Sequence, residues 1–404
     1  MRILFLSPRH AIPTRNGAKI REYHFLRALG NAAEVTHLHF VDPGAAPLTT
    51  KELPFCRAVV GVPKPPAYSV VNAARAVAGE WPLPILNFAS AGMHAAVARA
   101  MENEAFDIVH LDSIHMIWYA LAAVKRQPSI RAVYSWHNIE SEAIRRFASA
   151  TKSLARSWYA HLTATKMERV EKSILHSAFG HIVCSARERE QLLPATPRAR
   201  VAVVENGVDT AYFAEGASRE VEGKRLVFIG AMDYVPNSEA AIHFATRVWP
   251  HIRSRIPDAE LVIVGASPGP PVLALGNLPG VKVAGSVPDV RPYYRGALAA
   301  IVPLLSGGGT RLKIPEAMAA GVPVISTPLG AEGLDLVDGE HLMLAAAEDP
   351  EAWAACVQRL SDAPELRERL IETGLGLVRS RYDWGIVGAK LLATYEGWIN
   401  ELTN

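Results

Sequence analysis

Short apolar runs alternate along the chain with longer stretches in which apolar residues recur every three or four positions. The first series of runs is Arg2 to Ser7, Val35 to Phe40, Ala58 to Val62, Asp107 to Leu111, Arg131 to Trp136, Gly180 to Cys184 and Val201 to Val204. Their length and Val/Ile content predict strands, and the stretches between them, such as Lys19 to Leu29, predict helices. The rhythm resumes with Arg225 to Ile229, Glu260 to Val264, Val281 to Ala284, Ala299 to Pro303, Pro323 to Ser326 and His341 to Leu344, with Glu239 to Arg255 as an intervening helical stretch. Runs that are apolar throughout are buried on both faces, which predicts parallel sheets covered by helices. Two series predict two doubly wound α/β domains, joined through the turn-forming Asn206-Gly207-Val208-Asp209 and the polar stretch Glu215 to Lys224.

Size agrees with that division, because 404 residues, 50% of them hydrophobic, exceed what one core usually holds. A formal net charge of +2 gives no reason to expect the broad electropositive surface that nucleic-acid binding requires. Cys56, Cys184 and Cys356 are far apart and form no CxxC pair, so they are read as core thiols rather than a disulfide framework or zinc site. The opening run Ile3 to Leu6 is too short for a signal-peptide core or a membrane span, so a cytoplasmic protein is expected.

The densest chemical signal is Ser306-Gly307-Gly308-Gly309-Thr310-Arg311-Leu312-Lys313-Ile314-Pro315-Glu316, which follows a predicted strand and leads into a helix. Glycines let backbone N–H groups approach a ligand closely, and a helix start favours negative charge, a geometry suited to a diphosphate. Arg311 and Lys313 add charge-assisted hydrogen bonds that would stabilise a departing nucleoside diphosphate, and no DxD sequence is present to bind a metal. Glu316 can accept from two adjacent ribose hydroxyls. The competing reading is a tight turn followed by a solvated helix face; the order of glycines, cations and carboxylate favours a site.

Two weaker signals lie earlier. After the first strand, Thr14-Arg15-Asn16-Gly17-Ala18 leads into a helix, and Gly17 would let amides face a phosphate, although a plain helix start explains the same residues. His137, in Trp136-His137-Asn138-Ile139-Glu140, follows a predicted strand, where a histidine can meet a donor sugar or an acceptor hydroxyl; a structural histidine is the alternative. Between Arg145 and His176 the basic residues Arg145, Arg146, Lys152, Arg156, Lys166, Arg169 and Lys172 outnumber Glu168 and Glu171. This amphipathic stretch suits either a peripheral contact with an anionic membrane at its inner face or a solvated helix on the domain core.

The anchors Asn16-Gly17, His137-Asn138-Ile139-Glu140, Asn206 to Asp209, Phe228-Ile229-Gly230 and Gly309 to Gly321 with Pro323 to Thr327 together resemble the retaining glycosyltransferases of family 4, also called glycosyltransferases group 1, over nearly the whole chain. The resemblance implies the GT-B fold: two Rossmann-like domains facing each other across a cleft. Residues 1–207 would form the acceptor side, 208–383 the nucleotide-sugar side, and 384–404 a last helix packing back on the first domain. It implies donor contacts at Asn16, Gly17 and Gly230, and base recognition through the backbone at Gly285 to Val287. Glu316 matches the second of two family glutamates eight positions apart and is implied to hold the ribose. Gly308 stands at the first position, which leaves the amides of Gly308, Gly309 and Thr310 as sugar contacts. Relatives also carry an arginine and a lysine after the first strand of the second domain; Gly230 to Asn237 has neither, which assigns the phosphate charge to Arg311 and Lys313.

The implied activity is retaining, metal-independent transfer from a nucleoside-diphosphate sugar, a co-substrate rather than a bound cofactor, to a glycan or lipid-linked acceptor. The variant Asp233-Tyr234-Val235-Pro236-Asn237 looks like a bacterial branch associated with surface polysaccharide or glycolipid assembly. The alternatives are a GT-B-fold epimerase or phosphorylase, and a non-catalytic nucleotide- or glycan-binding subunit.

Overall fold

The computed structural model describes residues 1–401 apart from 15, 67–68, 152, 196–198, 216, 218–219 and 308–311. Two compact units divide the chain: Met1–Glu205 together with Val387–Asn404, and Asn206–Ile386.

The sheet of the first unit is built from β1 (Arg2–Ser7), β2 (Glu34–Val41), β3 (Ala58–Pro63), β4 (Ile108–Leu111), β5 (Arg131–Ser135), β6 (Gly180–Val183) and β7 (Val201–Val203). Among the described residues it has seven strands, ordered β3-β2-β1-β4-β5-β6-β7, and its pairings are parallel. Central strands β4 and β6 are buried at every position, whereas the edge strands β3 and β7 are mostly half-buried, as expected where one side of the ladder lacks a neighbour.

The second unit holds β8 (Arg225–Ile229), β9 (Glu260–Val264), β10 (Val281–Gly285), β11 (Ala299–Val302), β12 (Val324–Ser326) and β13 (Met343–Leu344), in the order β10-β9-β8-β11-β12-β13 and again parallel. Its core surrounds Trp249 and Trp353. The buried indoles keep their N–H groups satisfied, Trp249 Nε1 donating to the Pro279 carbonyl and Trp353 Nε1 to that of Ala346, both at 3.0 Å. All three cysteines are buried, and burial pushes the Cys56 thiol up to about 12.

The basic stretch read from the sequence resolves into a helical hairpin, Glu140–Ala150 and Leu154–Ser177, closed where Ser157 Oγ donates to the Ala148 carbonyl at 2.9 Å. Its charges are used unequally. Lys166 is 6% exposed and is not a surface cation: its ammonium caps the helix Val70–Ala78, donating to the carbonyls of Ala76, Val77 and Gly79 at 2.6, 3.0 and 2.6 Å. Arg145 and Lys172 both pair with Glu168, and Arg146 pairs with Glu142. Lys152 lies outside the described residues. No helix among the described residues is long and apolar enough to cross a membrane.

The helix Trp384–Asn400 supplies apolar cover to the first unit. Tyr395 is fully buried and its hydroxyl meets His110 Nδ1, while a methyl carbon built on Gly180 at the start of β6 would strike the Trp398 ring at 2.6 Å.

Candidate functional site

In the second unit, four adjacent strands end at one edge of the sheet, and the residues that follow them gather there. Gly230 and Gly265 leave β8 and β9, and Gly285 closes β10 with φ +69°, a backbone conformation that favours glycine. Gly230 N–H donates to the Val264 carbonyl and Gly265 N–H to that of Gly285, both at 2.9 Å, so the three glycines continue the ladder just past the strands. Val287 is half-buried in the loop after β10. The loop after β11 reaches the helix Val235–His243 through Ser306 Oγ, 3.4 Å from Glu239 Oε2.

Lys313 begins the helix Lys313–Ala319, and Glu316 lies three residues on, which places both on one face. The Lys313 ammonium donates to Asn237 Oδ1 at 2.7 Å and lies 5.2 Å from the centre of the Phe228 ring. Glu316 is half-buried and has no side-chain hydrogen-bond partner among the described residues. Desolvation pushes its carboxyl up to about 7, and the positive charge of Lys313 pulls the other way. Gly308, Gly309, Thr310 and Arg311 lie outside the described residues.

In the first unit, the ends of β1, β4 and β5 bring Arg9, Asp112 and His137 together. His137 Nε2 lies 2.6 Å from the Asp112 main-chain oxygen and 3.2 Å from its Oδ2, so Nε2 carries the proton and donates to both. Asp112 is fully buried. Burial opposes its ionisation, but His137, His110 and Arg9 outweigh that and hold the carboxyl well below the usual range. Glu22, also fully buried, is pushed the other way, by burial first and then by the charge on Asp112. The two buried carboxyls are therefore biased in opposite directions, with ionisation favoured on Asp112. His37, 3.8 Å from Glu22, is lowered to about 3 by burial, so its imidazole is neutral near pH 7 and the contact is not a charged pair. Among the described residues no three His, Cys, Asp or Glu side chains are arranged to hold a metal ion. Asn16 caps the helix Gly17–Ala32, its Oδ1 accepting from Lys19 N–H at 3.0 Å, and Gly17 is the first helical residue.

Residues 23–212 match the family described as Glycosyltransferase Family 4, and residues 223–363 match Glycosyl transferases group 1. The chain belongs to the group 1 glycosyltransferases, enzymes of GT-B fold. A phosphatidyl-myo-inositol mannosyltransferase of Mycolicibacterium smegmatis is 29% identical over 255 residues, 61% of this chain and 63% of that protein. The chain thus spans less than two thirds of that relative's length. The corresponding protein of Mycobacterium leprae is 27% identical over 343 residues, 81% of this chain and 83% of that one. In fold, sucrose-phosphate synthase from Thermosynechococcus elongatus is similar, with a TM-score of 0.74 at 18% identity, covering 99% of this chain and 100% of that one. So is Anabaena HepE in complex with UDP, with a TM-score of 0.68 at 15% identity, covering 98% and 100%.

For this glycosyltransferase, the structure brings Gly230, Gly285, Lys313 and Glu316 to one sheet edge of the second unit, and sets Asn16, Gly17 and His137 in the first. Sequence reasoning missed Asp112, Asn237 and Gly265. Asp112 was open to the argument used for His137, since it directly follows a strand; Gly265 likewise follows the apolar run Glu260 to Val264.

Proposed function

We propose that the protein transfers a sugar from a nucleoside-diphosphate sugar to an acceptor hydroxyl, with retention at the sugar carbon. The observation that carries the reading is the Lys313–Glu316 pair: an ammonium and a half-buried carboxyl, without a side-chain hydrogen-bond partner among the described residues, one helical turn apart beside the glycine edge of a parallel sheet. The ammonium suits the diphosphate, Glu316 the ribose diol, and the glycines admit a ligand close to the backbone. Arg311 adds a second cation, and the amides of Gly308, Gly309 and Thr310 meet the sugar. His137, held by Asp112, is the proposed contact for the sugar or the acceptor hydroxyl. Retention without an enzymic nucleophile has the leaving phosphate accept the acceptor's proton as the new bond forms. Support for a nucleotide donor comes from a fold neighbour crystallised with UDP.

The test is calorimetry with UDP, GDP and ADP. One of them is expected to bind saturably, and Lys313→Ala to weaken it about 10- to 150-fold, the value of a hydrogen bond to a charged group. Folded protein that binds none of the three at millimolar concentration would overturn the donor site and favour a glycan-binding subunit.

The acceptor is a glycan or lipid-linked molecule of surface polysaccharide or glycolipid assembly, taken at the cytoplasmic face of a membrane; relatives named for mannosylating phosphatidyl-myo-inositol support a lipid acceptor. Phe147, Leu154 and Trp158 are 58%, 88% and 62% exposed around the turn of the helical hairpin. No Asp or Glu occurs between positions 143 and 167, while Arg156 is exposed beside them. An apolar tip flanked by basic charge suits anionic headgroups. Vesicles containing phosphatidylglycerol should co-sediment the protein, and Leu154→Ser with Trp158→Ser should abolish it; binding unaffected by those changes refutes this surface.

A further inference from the structure

Gly230 leaves β8 against two side chains from other elements. A methyl carbon built on it would fall 2.8 Å from Asn237 Nδ2 and 2.9 Å from Lys313 Nζ. Asn237 is 6% exposed, and its surroundings fix the orientation of its amide. Nδ2 donates to the Ala231 carbonyl at 2.8 Å, which turns Oδ1 toward the ammonium of Lys313 at 2.7 Å. The flipped amide would set NH2 against an ammonium and one carbonyl against another, losing both bonds. A cation carried by the segment after β11 is thereby fixed at the end of the neighbouring strand β8, by a residue of the helix that follows β8.

We propose that Asn237 is a positioning residue for the donor: it holds the Lys313 ammonium at the Gly230 edge, where the diphosphate is bound. The proposal rests on the donor reading above. An amide suits this task better than the alternatives. It accepts a hydrogen bond from the ammonium without cancelling its charge, whereas an aspartate would pair with the lysine and leave less positive charge for phosphate. Alanine would remove this bond, leaving more of a flexible four-carbon stem to be ordered when ligand arrives. Gly230 belongs to the same arrangement, because any side chain there displaces the amide or the ammonium.

The experiment is a double-mutant cycle read by calorimetry with whichever of UDP, GDP or ADP binds wild type most tightly. Asn237→Ala is expected to weaken binding about tenfold when Lys313 is present and to have no further effect in Lys313→Ala. Asn237→Asp, close to isosteric, should weaken it at least as much; if the alanine variant does not fold, the aspartate carries the cycle. The reciprocal exchange, Asn237→Lys with Lys313→Asn, should regain part of the affinity lost in Lys313→Asn alone, because it returns an ammonium to the same place. A merely structural asparagine would weaken binding by the same factor in both backgrounds and gain nothing from the exchange, and that result overturns the proposal. If Lys313→Ala itself leaves binding unchanged, the phosphate role of Lys313 falls, and the positioning role with it.

Discussion

Glu316→Ala is expected to lower kcat/KM for the donor by about 30- to 1,000-fold, about 2–4 kcal/mol, because two ribose hydroxyls would enter a half-buried place and find no acceptor. The ligand-free carboxyl is held near neutrality by burial, with a pKa of about 7. Only the ionised form accepts from both hydroxyls, so donor affinity should fall as pH drops through about 7, and Glu316→Gln should flatten that dependence. Stability follows the opposite course. A carboxyl whose folded pKa is raised contributes stability that is fully present below its unfolded pKa and is lost as pH rises through about 7. Glu316→Gln should therefore melt at a higher temperature than wild type at pH 8 and close to it at pH 4. Donor kinetics that ignore Glu316→Ala would remove this residue from the site, and a melting difference independent of pH would contradict the raised carboxyl.

Gly265→Ala is expected to prevent the second unit from folding. The added methyl carbon would lie 1.7 Å from the Gly230 carbonyl oxygen and 2.7 Å from its carbon. Both are backbone atoms, so no rotamer change relieves the overlap; β8 and β9 would have to part where Gly230 N–H meets the Val264 carbonyl. Overpacking in a well-filled core costs about 1–3 kcal/mol, and a backbone collision of this depth should exceed about 4 kcal/mol, within reach of the whole stability of a domain. Gly376→Ala is the control. Gly376 is exposed within the helix Pro364–Leu377, and nothing lies within 4 Å of an added carbon, so that change should stabilise by about 0.5–1 kcal/mol. Urea melts of the two variants measure the contrast; a cooperative, near-wild-type transition for Gly265→Ala would show that the strands can separate cheaply.

Much of the fold was legible because its signals are local. The strands follow from apolar runs, and β1, β8 and β9 have the bounds the pattern gives. Ends were less legible where a strand is short: β13 keeps only Met343–Leu344 of the run from His341. The helical stretch from Glu239 to Arg255 contains the π-helical turn Phe244–Val248, which hydrophobic periodicity does not mark. Lys313 and Glu316 could be read together because they are one helical turn apart. Asn237 could not, since its bond to Lys313 joins positions 76 residues apart, and neither segment names the other. Lys166 shows the same limit in reverse. Its sequence neighbours suggest a surface charge, and only the packing of Val70–Ala78 beside it turns it into a buried cap.

The last helix has a consequence for the order of synthesis. The first unit is complete only when Tyr395 and Trp398 reach His110 and Gly180, yet 206–386 must leave the ribosome in between. At about 5–20 residues per second, roughly 10–40 s separate the emergence of Glu205 from that of Trp398. During that interval the β4–β6 side of the first sheet lacks part of its apolar cover, while the second unit, contiguous in the chain, can close by itself. The unit translated first is thus the last to be finished, and a nascent chain stalled before Val387 carries the exposed surface that a chaperone would hold.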